Sequence, residues 1–191
     1  MPVDRRWLVV LAPAALSFVV GAIALPRPQG VLAEQAAFDR STLTGVTTTP
    51  TTPKQPLDVT LARAIQLRGF DGPTAAVSRG GRIDAALHLG VQSVVDGDWQ
   101  IFVHIDSKDG PAFRINGDHA PLNARYRTGL WQPGEFLVDR FSVVVPVAAP
   151  AGVYDVQVGF FRGDKRLPVT GGDRSRADAD DRVKVGSIVV E

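Results

Sequence analysis

The chain has 191 residues, of which 45% are hydrophobic and 21% charged, a balance that permits a buried core and excludes a wholly disordered chain. With 21 Lys and Arg against 20 Asp and Glu, there is no cationic field to draw in a polyanion, so a nucleic-acid partner is not expected. The absence of Cys excludes disulfides, thiolate metal sites, a thiol nucleophile and lipidation on Cys.

After "MPVDRR" the run Trp7 to Leu25 carries no charge for 19 residues. As a helix it would reach about 28 Å, close to the roughly 30 Å of a hydrocarbon core. Arg5 and Arg6 on its short side favour keeping that end in the cytoplasm, although Arg27 and Arg40 weaken the asymmetry. Residues 1–31 are therefore expected to be a signal-anchor that holds the rest of the chain on the periplasmic or outer side of a membrane. Ala22 and Ala24, or Val31 and Ala33, also fit a cleavage site, so a cleaved signal peptide and a secreted product form the alternative.

From Leu32 to Leu57 the residues read "LAEQAAFDRSTLTGVTTTPTTPKQPL". Thr and Pro crowd together from Thr47 without an apolar period, which predicts a flexible, extended tether over 32–57. Residues 58–191 read as strands. In "RIDAALHLGVQ" Ile83, Ala85, Leu87, Leu89 and Val91 alternate with other residues, and in "WQIFVHI" Trp99, Ile101, Val103 and Ile105 oppose Gln100, Phe102 and His104. "FSVVVPV", "VYDVQVGFF" and "RVKVGSIVVE" are rich in β-branched and aromatic residues. Turn signals such as "RGG", "DGD", "KDG", "QPGE" and "RGDK" separate them. Short strands between regular breakers, with no sustained 3.6-residue period, predict an all-β fold: an antiparallel β-sandwich, immunoglobulin-like or jelly-roll-like, of about seven to nine strands.

The strings "FVHIDSKDG", "RTGLWQPGEFLVDRFSVVVP", "PAGVYDVQVGFFRGDKRLPV" and "VGSIVV" carry a likeness that covers most of Ala76 to Glu191. Its most specific pieces are Trp131, Pro133, Gly134, Glu135 and Asp139, then Gly152, Val153, Tyr154, Gly159, Arg166, Leu167 and Pro168. In these the chain resembles a β-sandwich module of bacterial exported proteins, one that occurs as the soluble C-terminal domain of mannosyltransferase-type membrane glycosyltransferases. The resemblance implies a sandwich fold and an exported setting. Such modules are accessory parts and here the module follows a single candidate span, so the resemblance supplies no catalytic residue and no transferase activity.

Chemistry-bearing motifs are sparse. No GxSxG elbow, HExxH motif or phosphate-cradling glycine loop occurs, so no catalytic residue is expected. His88, His104 and His119 match no metal-ligand spacing, and no metal or cofactor is expected. His104 reads as a strand residue on the wet face or a hydrogen-bond donor within the sheet. Asp173, Asp178, Asp180 and Asp181 could hold a cation, but Arg174, Arg176 and Arg182 stand among them, which favours a solvated loop.

For binding, Trp99, Tyr126, Trp131, Phe160 and Phe161 could form a stacking platform for a sugar ring, with Asp118, Asn123 and Arg125 supplying hydrogen bonds and His104 nearby. The competing reading places Trp99 and Trp131 in core or edge packing. The sequence thus predicts a non-enzymatic, membrane-tethered or exported sandwich that binds a partner, an envelope protein or glycan, as an accessory to glycan or envelope assembly. A stand-alone carbohydrate-binding module is the alternative and an envelope hydrolase the least favoured.

Overall fold

The structure, a computed structural model, describes residues 29–191. The apolar run from Trp7 to Leu25, and with it the expected anchor, lies outside the described residues. Among the described residues no helix is long and apolar enough to cross a membrane.

One helix, α1 (Gln29–Ala37), precedes the strands β1 (Val46–Thr47), β2 (Gln55–Leu61), β3 (Ile65–Asp71), β4 (Arg82–Val91), β5 (Gln100–Ser107), β6 (Arg114–Asn116), β7 (Phe136–Val144), β8 (Gly152–Arg162), β9 (Lys165–Arg166), β10 (Val169–Gly172) and β11 (Val183–Val190). The larger sheet runs β1-β7-β4-β3-β2-β10 and the smaller β11-β8-β5-β6, with β9 folded back on β8. Every ladder between these strands is antiparallel. The strands number 11 rather than seven to nine because β1 and β9 have two residues each, too few for an alternation to show in sequence.

The predicted inward faces meet in one core. Ile83, Ala85, Leu87, Leu89 and Val91 of β4 join Ile101, Val103 and Ile105 of β5, Val156 and Val158 of β8, and Val183, Val185 and Ile188 of β11. Each large aliphatic residue so buried contributes about 1.5–3 kcal/mol. At one end the core is aromatic: Trp131 meets Phe160 edge-on at 6.1 Å, and its indole Nε1 donates to the carbonyl of Tyr126 at 3.0 Å.

Two polar clusters lock the periphery. Past β6, His119 exchanges backbone hydrogen bonds with Ile101 of the smaller sheet, while its Nε2 lies 2.7 Å from Asp139 Oδ2 on β7 of the larger sheet. Its Nδ1 lies 2.7 Å from the carbonyl of Gly117. Both ring nitrogens face oxygen atoms, an arrangement that favours the imidazolium, which donates from both. Burial opposes that charge, but the hydrogen bond and charge of Asp139 outweigh it and raise the His119 pKa. The other oxygen of fully buried Asp139 accepts the Leu122 N–H at 2.6 Å. That bond holds a left-handed turn in which Leu122, Asn123 and Ala124 all have positive φ (49°, 55° and 63°).

The second cluster changes the reading of residues 32–57. Instead of a free tether, the part from Glu34 onward forms a strap docked on the sandwich. Phe38 stacks on Tyr126 at 5.2 Å. Arg40 donates from Nε to the Tyr126 hydroxyl at 3.1 Å, from Nη2 to the Leu130 carbonyl at 3.1 Å, and pairs with Glu135 at 3.3 Å. Tyr126 in turn donates to Glu135 Oε2 at 2.8 Å. Burial and the Glu135 carboxylate push the Tyr126 hydroxyl well above the usual phenol range. Beyond this cluster Val46 and Thr47 pair with Leu137 and Phe136, Thr51 Oγ1 reaches His88 Nδ1 at 2.7 Å, and β2 begins at Gln55, before the expected boundary at 58.

Candidate ligand groove on the smaller sheet

The outer face of the smaller sheet is built by the residues that alternate with the core. β5 turns Phe102 and His104 outward, and β8 turns Asp155, Gln157, Gly159 and Phe161. The register sets Phe102 opposite Gly159, His104 opposite Gln157 and Gln100 opposite Phe161. A side-chain carbon at Gly159 would come within 2.4 Å of the Phe102 ring, so glycine is what lets that ring lie against β8. The Arg166 guanidinium sits 4.9 Å over the same ring and donates to the Asp180 carbonyl at 2.7 Å.

This covering corrects one expectation. The face that the alternation marks as wet is partly sealed: Phe102 is 2% and His104 9% exposed. Beside them Phe102, His104, Asp118, Phe161, Asp164 and Arg166 line a hollow of about 330 Å³. Asp118 Oδ1 accepts the Val103 N–H at 2.9 Å and lies 3.9 Å from His104 Nε2. Burial, reinforced by the Arg114 guanidinium, lowers the His104 pKa against the opposing pull of Asp118 and Asp106. The imidazole is therefore neutral near pH 7. His104 Nδ1 and Gln157 Oε1, on facing residues of adjacent strands, are both buried without a hydrogen-bond partner. A buried polar atom left so costs about 1–3 kcal/mol.

The other residues singled out in the sequence do not converge there. Tyr126 and Trp131 are 0% and Trp99 8% exposed, and Phe160 is buried, so four of the five rings of the supposed stacking platform are packed inside. Trp99 spends its Nε1 proton on the Asp96 carbonyl at 2.9 Å and lies under Arg162, whose guanidinium is 4.8 Å from its ring. Only Phe161 keeps part of its ring open to solvent, and it opens into the groove. Asn123 and Arg125 are exposed beside Arg140 at a separate hollow of about 140 Å³ against β7 of the larger sheet.

Sequence reasoning missed Gln157 and the closing roles of Gly159 and Arg166. The outward parity of Gln157 was readable from "VYDVQVGFF", but its pairing with His104 depends on a register that no local pattern reveals.

Two further features hold less chemistry. A hollow of about 260 Å³ lies between α1 and residues 94–98, but its polar groups are already engaged: Arg127 with Glu34 and Asp98, and Gln35 with the Gly129 carbonyl. In the acidic loop Asp178 pairs with Arg182 at 2.6 Å and Asp173 with Arg176 at 3.2 Å. Among the described residues no group of three or more His, Asp or Glu side chains is placed to hold a metal ion.

No protein-family model matches the chain, and no curated protein matches it. Among solved structures the chain is similar to the C-terminal domain of wzt, with a TM-score of 0.47 and 12% sequence identity over 73% of this chain and 82% of that one.

Proposed function

We propose that the sandwich is a non-catalytic binding domain that takes a polyhydroxylated ligand, a glycan, in the groove on the smaller sheet. The observation that carries this reading is the convergence of one partly open aromatic ring, Phe161, with Asp118, Asp164, Arg166 and a neutral His104 around a single hollow. A sugar ring presents an apolar face to an aromatic and hydroxyls, which both donate and accept, to planar polar groups around it. The reading is of binding rather than catalysis because the groove combines a stacking ring with hydrogen-bonding groups, while its one imidazole makes no hydrogen bond to its nearest carboxylate, 3.9 Å away.

The test is a glycan array followed by titration calorimetry on the full-length protein. At least one glycan should bind, and Phe161→Ala and Asp118→Asn should each weaken its Kd about tenfold, or ~1.4 kcal/mol. Asn123→Ala, in the turn before β7 and at a separate hollow, should leave binding unchanged. No bound glycan, or affinity indifferent to the groove variants, overturns the reading.

The setting belongs to the same proposal: the domain works on the outer side of a membrane, attached through its N-terminal apolar segment to assist an envelope glycan or assembly machine. The uncharged run after Arg5 and Arg6, and the resemblance to exported modules, support it. In-cell crosslinking followed by mass spectrometry of membrane and soluble fractions should find the chain intact, membrane-bound and linked to an envelope protein. A chain cleaved near Ala24 or Ala33, soluble and free of partners, would sink this part alone.

A further inference from the structure

The strap presents a row of hydroxyls that the fold divides into two sets. Thr47 Oγ1 hydrogen-bonds the Thr49 carbonyl, and Thr51 Oγ1 is held on His88. Thr48, Thr49 and Thr52 are exposed and make no side-chain hydrogen bond. The segment is fixed at both ends. On one side Val46 and Thr47 pair with β7; on the other the Lys54 N–H donates to Asp71 Oδ1 at 2.7 Å, and Pro53 packs so closely on Gly69 that a side-chain carbon there would meet it at 2.2 Å. Thr49 and Thr52 each precede a proline, which disfavours helical backbone and keeps them extended. Alongside, the strap and residues 132–135 border an open hollow of about 730 Å³.

Threonines crowded with proline on an exposed, extended segment are the composition that O-glycosylated stalks use. Here that composition is neither buried nor free: it is held outward on a rigid support, with individual hydroxyls left over. We infer that Thr48, Thr49 and Thr52 are acceptors for O-glycosylation by a transferase that uses a phosphate-activated sugar. In that transfer the threonine Oγ attacks the anomeric carbon, the bond from that carbon to the phosphate oxygen breaks with its electron pair leaving on phosphate, and the hydroxyl proton passes to a base of the transferase. Thr47 and Thr51 are not acceptors, because their hydroxyls are committed to the fold. This modification is independent of the groove on the opposite sheet.

The test is intact-mass analysis and electron-transfer fragmentation of the protein recovered from its own producing cells. The expected result is a ladder of whole-sugar increments localised to Thr48, Thr49 or Thr52, abolished in a Thr48→Val, Thr49→Val, Thr52→Val triple variant whose melting temperature is unchanged. An unmodified strap peptide in the folded, cell-derived protein overturns the inference. So does a sugar found on Thr47 or Thr51 instead.

Discussion

His119 and Asp139 do at the level of single residues what the flanking strands cannot: they join the two sheets where the sandwich is open. Because the folded-state pKa of His119 is raised, its contribution is full below the unfolded imidazole value of about 6.5 and is lost as pH rises through the folded-state pKa. Urea denaturation across pH should therefore show the wild type most ahead of His119→Gln in mild acid, with the gap closing towards alkaline pH. Asp139→Ala, which strands a buried cation and the Leu122 N–H, should cost about 3 kcal/mol in the same measurement near pH 6. A pH-independent gap would contradict the doubly protonated imidazole. The sequence marked Asp139 as distinctive and His119 only as a poor metal ligand. Their partnership spans 20 positions and two sheets, and local spacing does not encode such a contact.

At the level of elements, the alternation of β4 and β5 made the inward faces legible, since period two is a property of the extended chain itself. The outer faces were less legible because what covers them arrives from elsewhere: Arg166 over Phe102, and Thr51 over His88. Trp99, Tyr126 and Trp131 show the same limit, for an aromatic beside a turn reads alike whether its ring caps the core or faces solvent. Two substitutions probe how elements are joined. Gly159→Ala should lower stability by about 1–3 kcal/mol, because the new carbon displaces the Phe102 ring, and should distort the groove beside it. Ala124→Gly should do the reverse. It relieves an exposed left-handed residue and should raise stability by about 0.5–1 kcal/mol after the added freedom of the unfolded chain is subtracted, as chemical denaturation would show.

For the whole molecule, the sandwich class follows from strand and turn periodicity, whereas its extent does not. Composition assigned 32–57 to solvent; Arg40 reverses that through hydrogen bonds to partners 86 and 90 residues away. A chain cut to begin at Asp58 would lose β1, the first half of β2 and the cover over Tyr126. It should unfold at a lower temperature and with less cooperativity than one beginning at Ala33, whose calorimetric transition should be single.

The docked strap also decides how the domain would carry a load. A pull on its N-terminus would not stretch a slack spring: the force would meet the contacts of Glu34 and Gln35 first, then Phe38 and Arg40, and then the two-residue pairing of β1. These contacts are local and can be peeled away in turn, whereas β2 is paired with β3 from Gln55 to Leu61 and with β10 over Val59 to Leu61. The strap is thus a reserve of length. Under tension it would yield some twenty residues of reach while the sandwich, and the groove on its far sheet, stayed folded.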